Sequence, residues 1–198
     1  MAKSHNKQEQ SRTETIRTFI CIEIPDSIKA RIGKLQDTLR QIDAQISWTK
    51  PSNIHMTLKF LGGVPASRIE RIKNAVEKTS RGIKPFDIEV SGSGCFPSAR
   101  SPRVLWIGIA DVPEQLKQLY ANLEDQLSQV GFECEKRRFS PHLTIGRVRT
   151  PHNASHVADS LISNSFAPER FHATEIVVMR SDLKPTGSIY TPQMTVEL

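Results

Sequence analysis

The sequence has 198 residues, of which 37% are hydrophobic and 24% are charged, and its formal net charge is +6. This length and composition are typical of a globular protein with one domain or two small lobes. They argue against a membrane protein, because no apolar run approaches the roughly 20 residues that span a bilayer. The three cysteines, at positions 21, 95 and 134, form no metal-binding pattern and no disulfide framework. We therefore expect a protein of the reducing cytoplasm.

The first half of the chain predicts alternating strands and helices after a polar start. Residues 1–15 are polar and aperiodic, which predicts a disordered tail. The predicted elements that follow are, in chain order, a strand at 17–24, a helix at 28–42, a short strand at 46–49, a strand from His55, a helix from Ser67 and a strand at 86–90.

The second half repeats this order of elements. Its predicted elements are a strand at 103–109, a helix from Pro113, a short basic strand, a strand from His142, a helix at 153–163, and strands at 171–179 and 190–197. Phe19 precedes His55 by 36 residues and Leu105 precedes His142 by 37, which indicates an internal repeat. We predict an α+β fold of two pseudo-symmetric lobes. Each lobe would be an antiparallel sheet with helices on its outer face, and the active-site cleft would lie between the lobes.

Two stretches contain the pattern His-x-Thr within an apolar, β-favouring run. The first is HMTLKFLG, which begins at His55, and the second is HLTIGRV, which begins at His142. Residues i and i+2 of a strand point to one face. His55 therefore shares a face with Thr57, and His142 shares a face with Thr144. The same alternation places the intervening apolar residues and Phe60 on the opposite face. A polar pair on one side of a buried strand is typical of a cleft floor.

The positive charge is concentrated around the second motif. Between residues 134 and 149, five basic residues stand against one acidic residue, which gives a local net charge of +4. An anionic ligand explains this concentration, with phosphates and nucleic acid as the first candidates. A solvated loop face explains Lys136, Arg137 and Arg138 equally well, and the sequence leaves both explanations open.

Two histidines that face one cleft can supply both groups for acid–base catalysis. Their unperturbed pKa near 6.5 allows one ring to be protonated while the other is neutral. One ring takes a proton from a nucleophile and the other gives one to the leaving group, and each contributes about 10²- to 10⁴-fold. Threonine hydroxyls beside the rings suit phosphoryl oxygens. We predict no metal and no cofactor, because neither motif has a clustered third ligand or the spacing of a zinc site.

These motifs resemble the two signature motifs of the 2H phosphoesterase superfamily. The closest resemblance is to the RNA 2′,3′-cyclic phosphodiesterases, also called 2′-5′ RNA ligases. The opening RTFICIEIP, the approach to the first histidine through Trp48 and Asn53, and the ending with Ser181, Gly187 and Tyr190 agree with it. The resemblance covers residues 16–198, which we expect to form a single bilobal domain.

The resemblance implies a reaction and a role for each histidine. His142 would be the proton acceptor that activates water for attack on a 2′,3′-cyclic phosphate. His55 would be the proton donor to the departing 3′ oxygen, which leaves a 2′-phosphomonoester. The order of acid and base comes from the family, since the sequence alone does not reveal it.

Four further residues are predicted to bind the substrate. Thr57 and Thr144 would bind phosphate oxygens. Lys59 lies on the histidine's strand face by alternation and would add positive charge. Arg147 would also add charge, but alternation turns it away from the cleft unless the strand bulges at Gly146.

Three functions remain open at this point. The first is a phosphodiesterase on RNA 2′,3′-cyclic phosphate ends, tRNA fragments included, with ligation as the reverse reaction. The second is the same chemistry on a small nucleotide such as ADP-ribose 1″,2″-cyclic phosphate, and the third is a non-catalytic RNA-binding relative. The basic residues beyond the motif favour RNA, and two intact His-Thr pairs favour an enzyme. Phe19, Trp48 and Trp106 are candidates to stack a base, although such residues more commonly belong to the core or rim. We expect a monomer.

Overall fold

The computed structural model describes residues 14–185 and 187–198. The strands are β1 (Thr15–Glu23), β2 (Ile46–Trp48), β3 (His55–Pro65), β4 (Phe86–Phe96), β5 (Val104–Ala110), β6 (His142–Val148), β7 (Glu169–Ala173), β8 (Glu175–Lys184) and β9 (Gly187–Glu197). The helices are α1 (Asp26–Leu39), α2 (Ile69–Thr79), α3 (Glu114–Gln129) and α4 (Ala154–Ser163). Within this part of the chain, no helix has the length and apolar composition needed to cross a bilayer. The predicted tail at 1–15 lies outside the described residues except for its last two, and Thr15 already belongs to β1.

The nine described strands form one antiparallel sheet whose centre is the join between the two motif strands. Its order is β7-β4-β5-β6-β3-β1-β8-β9, and β2 pairs with β6. At the join, Met56 of β3 pairs with Leu143 of β6. The order is symmetric about this pair, because β3, β1, β8 and β9 on one side correspond to β6, β5, β4 and β7 on the other. Each half-sheet therefore contains strands from both halves of the chain.

The four helices of the described residues cover one face of this sheet. Apolar residues from every helix, such as Ile32 of α1 and Leu119 of α3, belong to one buried cluster with residues of the strands. Met56 and Leu143, which lie between the histidine and the threonine of each motif, are fully buried in that cluster. Because side chains alternate along a strand, each histidine and its threonine lie on the opposite face, away from the helices.

One predicted element is absent from the described residues. The prediction of a short basic strand before the second motif is wrong, because residues 132–141 have no regular secondary structure. Three successive basic side chains, Lys136 to Arg138, give no apolar alternation that would bury one face of a strand. Pro141 in addition has no N–H to donate to a ladder. This segment, called the basic loop below, leads directly into β6.

Candidate active site

The face of the sheet opposite the helices carries a cleft of about 720 Å³. All six residues predicted for the site line it: His55, Thr57, Lys59, His142, Thr144 and Arg147. The antiparallel join of β3 and β6 brings the two motifs together from remote parts of the chain.

His55 is the first residue of β3, and its ring is held by the backbone that precedes it. Its Nδ1 lies 2.8 Å from the carbonyl oxygen of Asn53. A carbonyl oxygen only accepts hydrogen bonds, so Nδ1 carries the proton that is donated. In the neutral ring, Nε2 is therefore the unprotonated atom, and it remains available to the cleft. Asn53 is itself fixed, because its side-chain Nδ2 donates to the carbonyl oxygen of Ser188 at 2.8 Å.

His142 has the same local geometry in the second motif. Its Nδ1 lies 2.8 Å from the carbonyl oxygen of Ser140, also two residues before the histidine. The tautomer follows as for His55, so both rings present Nε2 as the atom free for proton transfer. The two histidines are therefore oriented by equivalent hydrogen bonds in equivalent positions.

The aromatic surroundings of His55 shield part of its ring from water. Phe19 stacks on its ring with a centroid distance of 4.6 Å, and Tyr190 meets it edge-on at 5.3 Å. Burial lowers the pKa of His55 from 6.5 to about 4, against the opposing effect of the hydrogen bond to Asn53. The free protein thus holds this ring neutral at pH 7. His142 lies against Phe96, whose ring meets it edge-on at 5.1 Å.

An equivalent irregularity follows the threonine in each motif strand. The pairing of β3 with β1 skips Leu58, and the pairing of β6 with β5 skips Ile145. Each extra residue changes the alternation, so the third residue after each threonine lines the cleft: Phe60 in the first motif and Arg147 in the second. The bulge that Arg147 needs is present. The prediction that Phe60 lies on the buried face is wrong, because strict alternation takes no account of a bulge.

Gly146 allows β2 to pack closely beside the second bulge. A Cβ at this position would lie 2.9 Å from Cγ2 of Ile46 and 3.1 Å from Cε3 of Trp48. Arg147 follows with an exposed side chain that makes no hydrogen bond or ion pair within residues 14–185 and 187–198. Its guanidinium is available to an anion in the cleft.

Lys59 lines the cleft, but its amine is already paired. Nζ donates to Oε2 of Glu124 at 2.7 Å and to the carbonyl oxygen of Glu133 at 2.8 Å. Both side chains of this ion pair are almost buried, with 11% and 12% of their surface exposed. The phosphate-binding role of Lys59 stays a prediction, and its observed partners are protein groups.

Sequence reasoning identified different aromatic residues from those exposed at the cleft. Of the three candidates for base stacking, Phe19 is buried behind His55, Trp48 lies beneath the Arg40 guanidinium at 5.6 Å, and Trp106 packs beside Phe96. The exposed rings at the cleft are instead Phe60, with 59% of its surface accessible, and Phe96, with 36%. An aromatic residue within a motif was the available signal for Phe60.

Metal ligands are not grouped in the described part of the chain. In residues 14–185 and 187–198, no three His, Cys, Asp or Glu side chains are close enough to hold a metal ion together. Independence from a metal and from a cofactor stays a prediction, and the EDTA experiment described below tests the part that concerns the metal.

Comparison with known proteins identifies the family. A family model described as LigT-like phosphoesterase matches residues 22–106 and again residues 107–190. This chain belongs to that family. The RNA 2′,3′-cyclic phosphodiesterase of Methanothermobacter thermautotrophicus is 38% identical over 178 residues, which cover 89% of this chain and 95% of that protein. The protein of the same name from Thermotoga maritima is 33% identical over 176 residues, which cover 88% and 91%.

Solved structures show the same fold. A crystal structure of a Thermus thermophilus protein matches with a TM-score of 0.77 at 23% identity, and covers 92% of this chain and 98% of that one. The two family units confirm the predicted internal repeat, and the α+β architecture with helices on the outer face is confirmed. The resemblance to the 2H phosphoesterases and the prediction of a phosphoesterase enzyme are confirmed as well.

Proposed function

We propose that this phosphoesterase hydrolyses 2′,3′-cyclic phosphate ends of RNA to 2′-phosphomonoesters without a metal ion. The observation that carries the proposal is the matched pair of histidines, each with Nδ1–H donated to a carbonyl and Nε2 free. The curated relatives named RNA 2′,3′-cyclic phosphodiesterase supply the substrate class.

The reaction assigns one proton transfer to each ring. Nε2 of His142 takes a proton from water as the water oxygen attacks phosphorus. The bond between phosphorus and O3′ breaks, and Nε2–H of His55 gives its proton to O3′. The product keeps the phosphate on O2′, and exchange of protons with solvent returns both rings to their starting states.

His55 must gain a proton before it can donate one, because its lowered pKa leaves it neutral in the free protein. A phosphodiester anion beside the ring favours the imidazolium form and raises the pKa again. Substrate binding and protonation of His55 are therefore coupled. Thr57, Thr144 and Arg147 line the same cleft and supply hydroxyl and guanidinium donors for the phosphate oxygens.

RNA as the substrate is supported by groups that extend beyond the scissile phosphate. Arg137 and Arg138 of the basic loop line the cleft with exposed side chains. Phe60 and Phe96 offer exposed rings on which bases can stack, a contact worth about 1–3 kcal/mol per base. A mononucleotide needs few such outlying contacts. We expect tRNA fragments among the substrates, 2′-5′ ligation as the reverse reaction, and a cytoplasmic monomer.

The test is turnover of a short RNA that ends in a 2′,3′-cyclic phosphate, with EDTA present. Wild type should form a 2′-phosphate, and His55→Ala and His142→Ala should each lose about 10²- to 10⁴-fold. His156→Ala, in which an exposed histidine of α4 is replaced, is the matched control and should keep wild-type turnover.

Other products or the lack of turnover would redirect the proposal. A 3′-phosphate product would mean that the rings act on the other ester oxygen. Turnover of ADP-ribose 1″,2″-cyclic phosphate alone would identify a small-nucleotide enzyme. Normal RNA binding by both histidine variants, without turnover by wild type, would identify a binding protein.

A further inference from the structure

The basic loop, residues 132–141, is a wall of the cleft that lacks regular secondary structure. Five of its residues line the cleft: Glu135, Arg137, Arg138, Phe139 and Ser140. It carries two arginines placed for RNA phosphates and the carbonyl that orients His142. A loop with these tasks needs fixed contacts from outside itself, because it has no ladder or helix of its own.

Glu124 of α3 supplies one set of these contacts. Its Oε2 accepts the backbone N–H of Glu135 at 2.7 Å and the amine of Lys59 at the same distance. Lys59 donates in addition to the carbonyl oxygen of Glu133 at 2.8 Å. The carboxylate and the amine therefore bind the beginning of the basic loop at two backbone groups.

A stacked aromatic pair holds the other end of the loop. Tyr120, one turn before Glu124 on α3, stacks on Phe139 with a centroid distance of 3.8 Å and an interplanar angle of 12°. Phe139 is three residues before His142. The loop is thus attached to α3 at both ends, while Arg137 and Arg138 between them remain exposed.

Lys59 connects this assembly to the first motif. It belongs to β3, in the family unit at 22–106, whereas Glu124 and the basic loop belong to the unit at 107–190. We propose that Lys59 and Glu124 are a positioning pair, which fixes the basic loop for binding RNA, and that Lys59 is not a ligand of the reacting phosphate. The identity of RNA as the ligand rests on the proposed function; the positioning of the loop does not.

A positioning pair predicts an effect that depends on substrate length. Loss of the pair moves Arg137 and Arg138, so it weakens binding of an RNA chain whose phosphates they contact. A mononucleotide, 2′,3′-cyclic AMP, has no such phosphates and uses only the histidines, the threonines and Arg147. A ligand of the reacting phosphate would be needed equally by both substrates.

The variants are Lys59→Met, Glu124→Gln and the double variant, each close in shape to the native side chain. On a short RNA oligomer with a 2′,3′-cyclic phosphate end, we expect each single variant to raise KM roughly tenfold, with a much smaller change in kcat. The double variant should be no worse than either single variant, because the two residues act together and no unpaired buried charge remains. Glu124→Gln should lower turnover of 2′,3′-cyclic AMP far less than turnover of the RNA oligomer, because the stack of Tyr120 on Phe139 still holds the end of the loop that carries the Ser140 carbonyl.

Glu114→Gln is the matched control, since it removes an exposed ion pair with Lys117 on the same helix. It should change neither KM nor kcat. The proposal is overturned if Lys59→Met lowers kcat on 2′,3′-cyclic AMP far more than Glu124→Gln does, or if the losses of the two single variants add in the double variant.

Hydrogen exchange provides a measurement that needs no substrate. The amide of Glu135 should exchange faster in Glu124→Gln and Lys59→Met than in wild type, and Glu114→Gln should match wild type. Unchanged exchange at residues 133–139 would overturn the positioning role. If wild type turned over neither RNA nor 2′,3′-cyclic AMP, the proposed function would fail, and the exchange data would still decide the role of the pair.

Discussion

The two halves of the cleft share their catalytic geometry and differ in what surrounds it. Each histidine donates Nδ1–H to a carbonyl two residues back at 2.8 Å, and each has an aromatic ring at its edge. The second rings differ, because Phe19 stacks on the face of His55 at 4.6 Å, whereas Trp106 is tilted against His142 at 6.4 Å. The shared geometry makes proton transfer possible at both rings, and burial lowers the pKa of His55.

The residues three positions after the two threonines also differ between the halves. The bulge in each motif strand brings the third residue after the threonine to the cleft, which is Phe60 on one side and Arg147 on the other. The first half thus offers a stacking surface and the second a cation. The segments that precede the two histidines also differ. The first is fixed by the side chain of Asn53, and the second is fixed by contacts from α3. The two halves are therefore symmetric in the geometry of their histidines, whereas each half offers a different kind of contact to the substrate.

The largest expected effect separates the two histidines by role. His55→Gln and His142→Gln should each lower hydrolysis of the cyclic phosphate by about 10²- to 10⁴-fold. On bis(4-nitrophenyl) phosphate, 4-nitrophenolate leaves without a proton, so loss of the donor should cost far less than loss of the acceptor. His55→Gln should therefore retain more activity on this ester, followed by absorbance. If His142→Gln retained more activity than His55→Gln, His142 would be the proton donor and His55 the proton acceptor.

The second effect tests the burial of His55 through the stability of the protein. The unfolded chain binds a proton at this ring near pH 6.5, but the folded protein does so only near pH 4. The free energy of unfolding should therefore fall as the pH drops from about 6.5 to about 4, by up to about 3 kcal/mol from this group. From about one pH unit above 6.5, the ring is neutral in both states and the contribution is constant.

Urea denaturation at pH 7 and at pH 4.5 measures this difference, with His55→Gln and His156→Gln in parallel. The fall should be smaller in His55→Gln than in wild type, while His156→Gln should follow wild type. Equal falls in all three proteins would mean that the folded His55 titrates like an exposed histidine.

The third effect concerns the cationic side of the cleft. Replacement of Arg137 and Arg138 by Gln removes two phosphate contacts to single-stranded RNA. The plot of log binding constant against log salt concentration should therefore become less steep, by about 1.4 in the magnitude of its slope. Affinity should fall roughly tenfold at moderate salt. Arg81→Gln with Lys84→Gln removes the same charge from an exposed turn that does not line the cleft. A similar slope change in that control would indicate a general charge effect.

The smallest expected effect concerns Asn53 and Ser140, the residues whose backbone carbonyls orient His55 and His142. Asn53→Ala loses the hydrogen bond to Ser188 and loosens the carbonyl that orients His55, so kcat should fall by about fivefold. Ser140→Ala keeps the equivalent carbonyl and should change kcat less. Steady-state kinetics of the two variants on one RNA measure the difference, and an equal or larger loss in Ser140→Ala would contradict it.

Much of the architecture follows from periodicity in the sequence. The strand and helix order, the two motif strands and the repeat were predictable because apolar residues alternate in strands and recur at helical spacing in helices. The exchange of strands between the half-sheets was not, because periodicity within a segment does not specify which strands pair. The pairing of β1 with β8 joins residues far apart in the chain.

The site was predictable where chemistry is local and unpredictable where it depends on distant partners. The histidines and threonines follow from a short pattern that is contiguous in the sequence. The ion pair of Lys59 with Glu124 joins residues 65 positions apart, and no sequence pattern links them. The bulges at Leu58 and Ile145 interrupt the alternation along the two motif strands, so alternation failed for Phe60 and left Arg147 conditional.

The pairing of Met56 with Leu143 has a consequence for the ancestry of the molecule. Each residue directly follows the histidine of its own motif, so equivalent positions pair with each other across the join. Self-pairing of equivalent residues is what a two-fold axis produces in an isologous homodimer. The cleft thus has the arrangement expected of two copies of one half-length chain fused end to end. In such an ancestor neither subunit alone would hold a complete site, and the two histidines would have been the same residue.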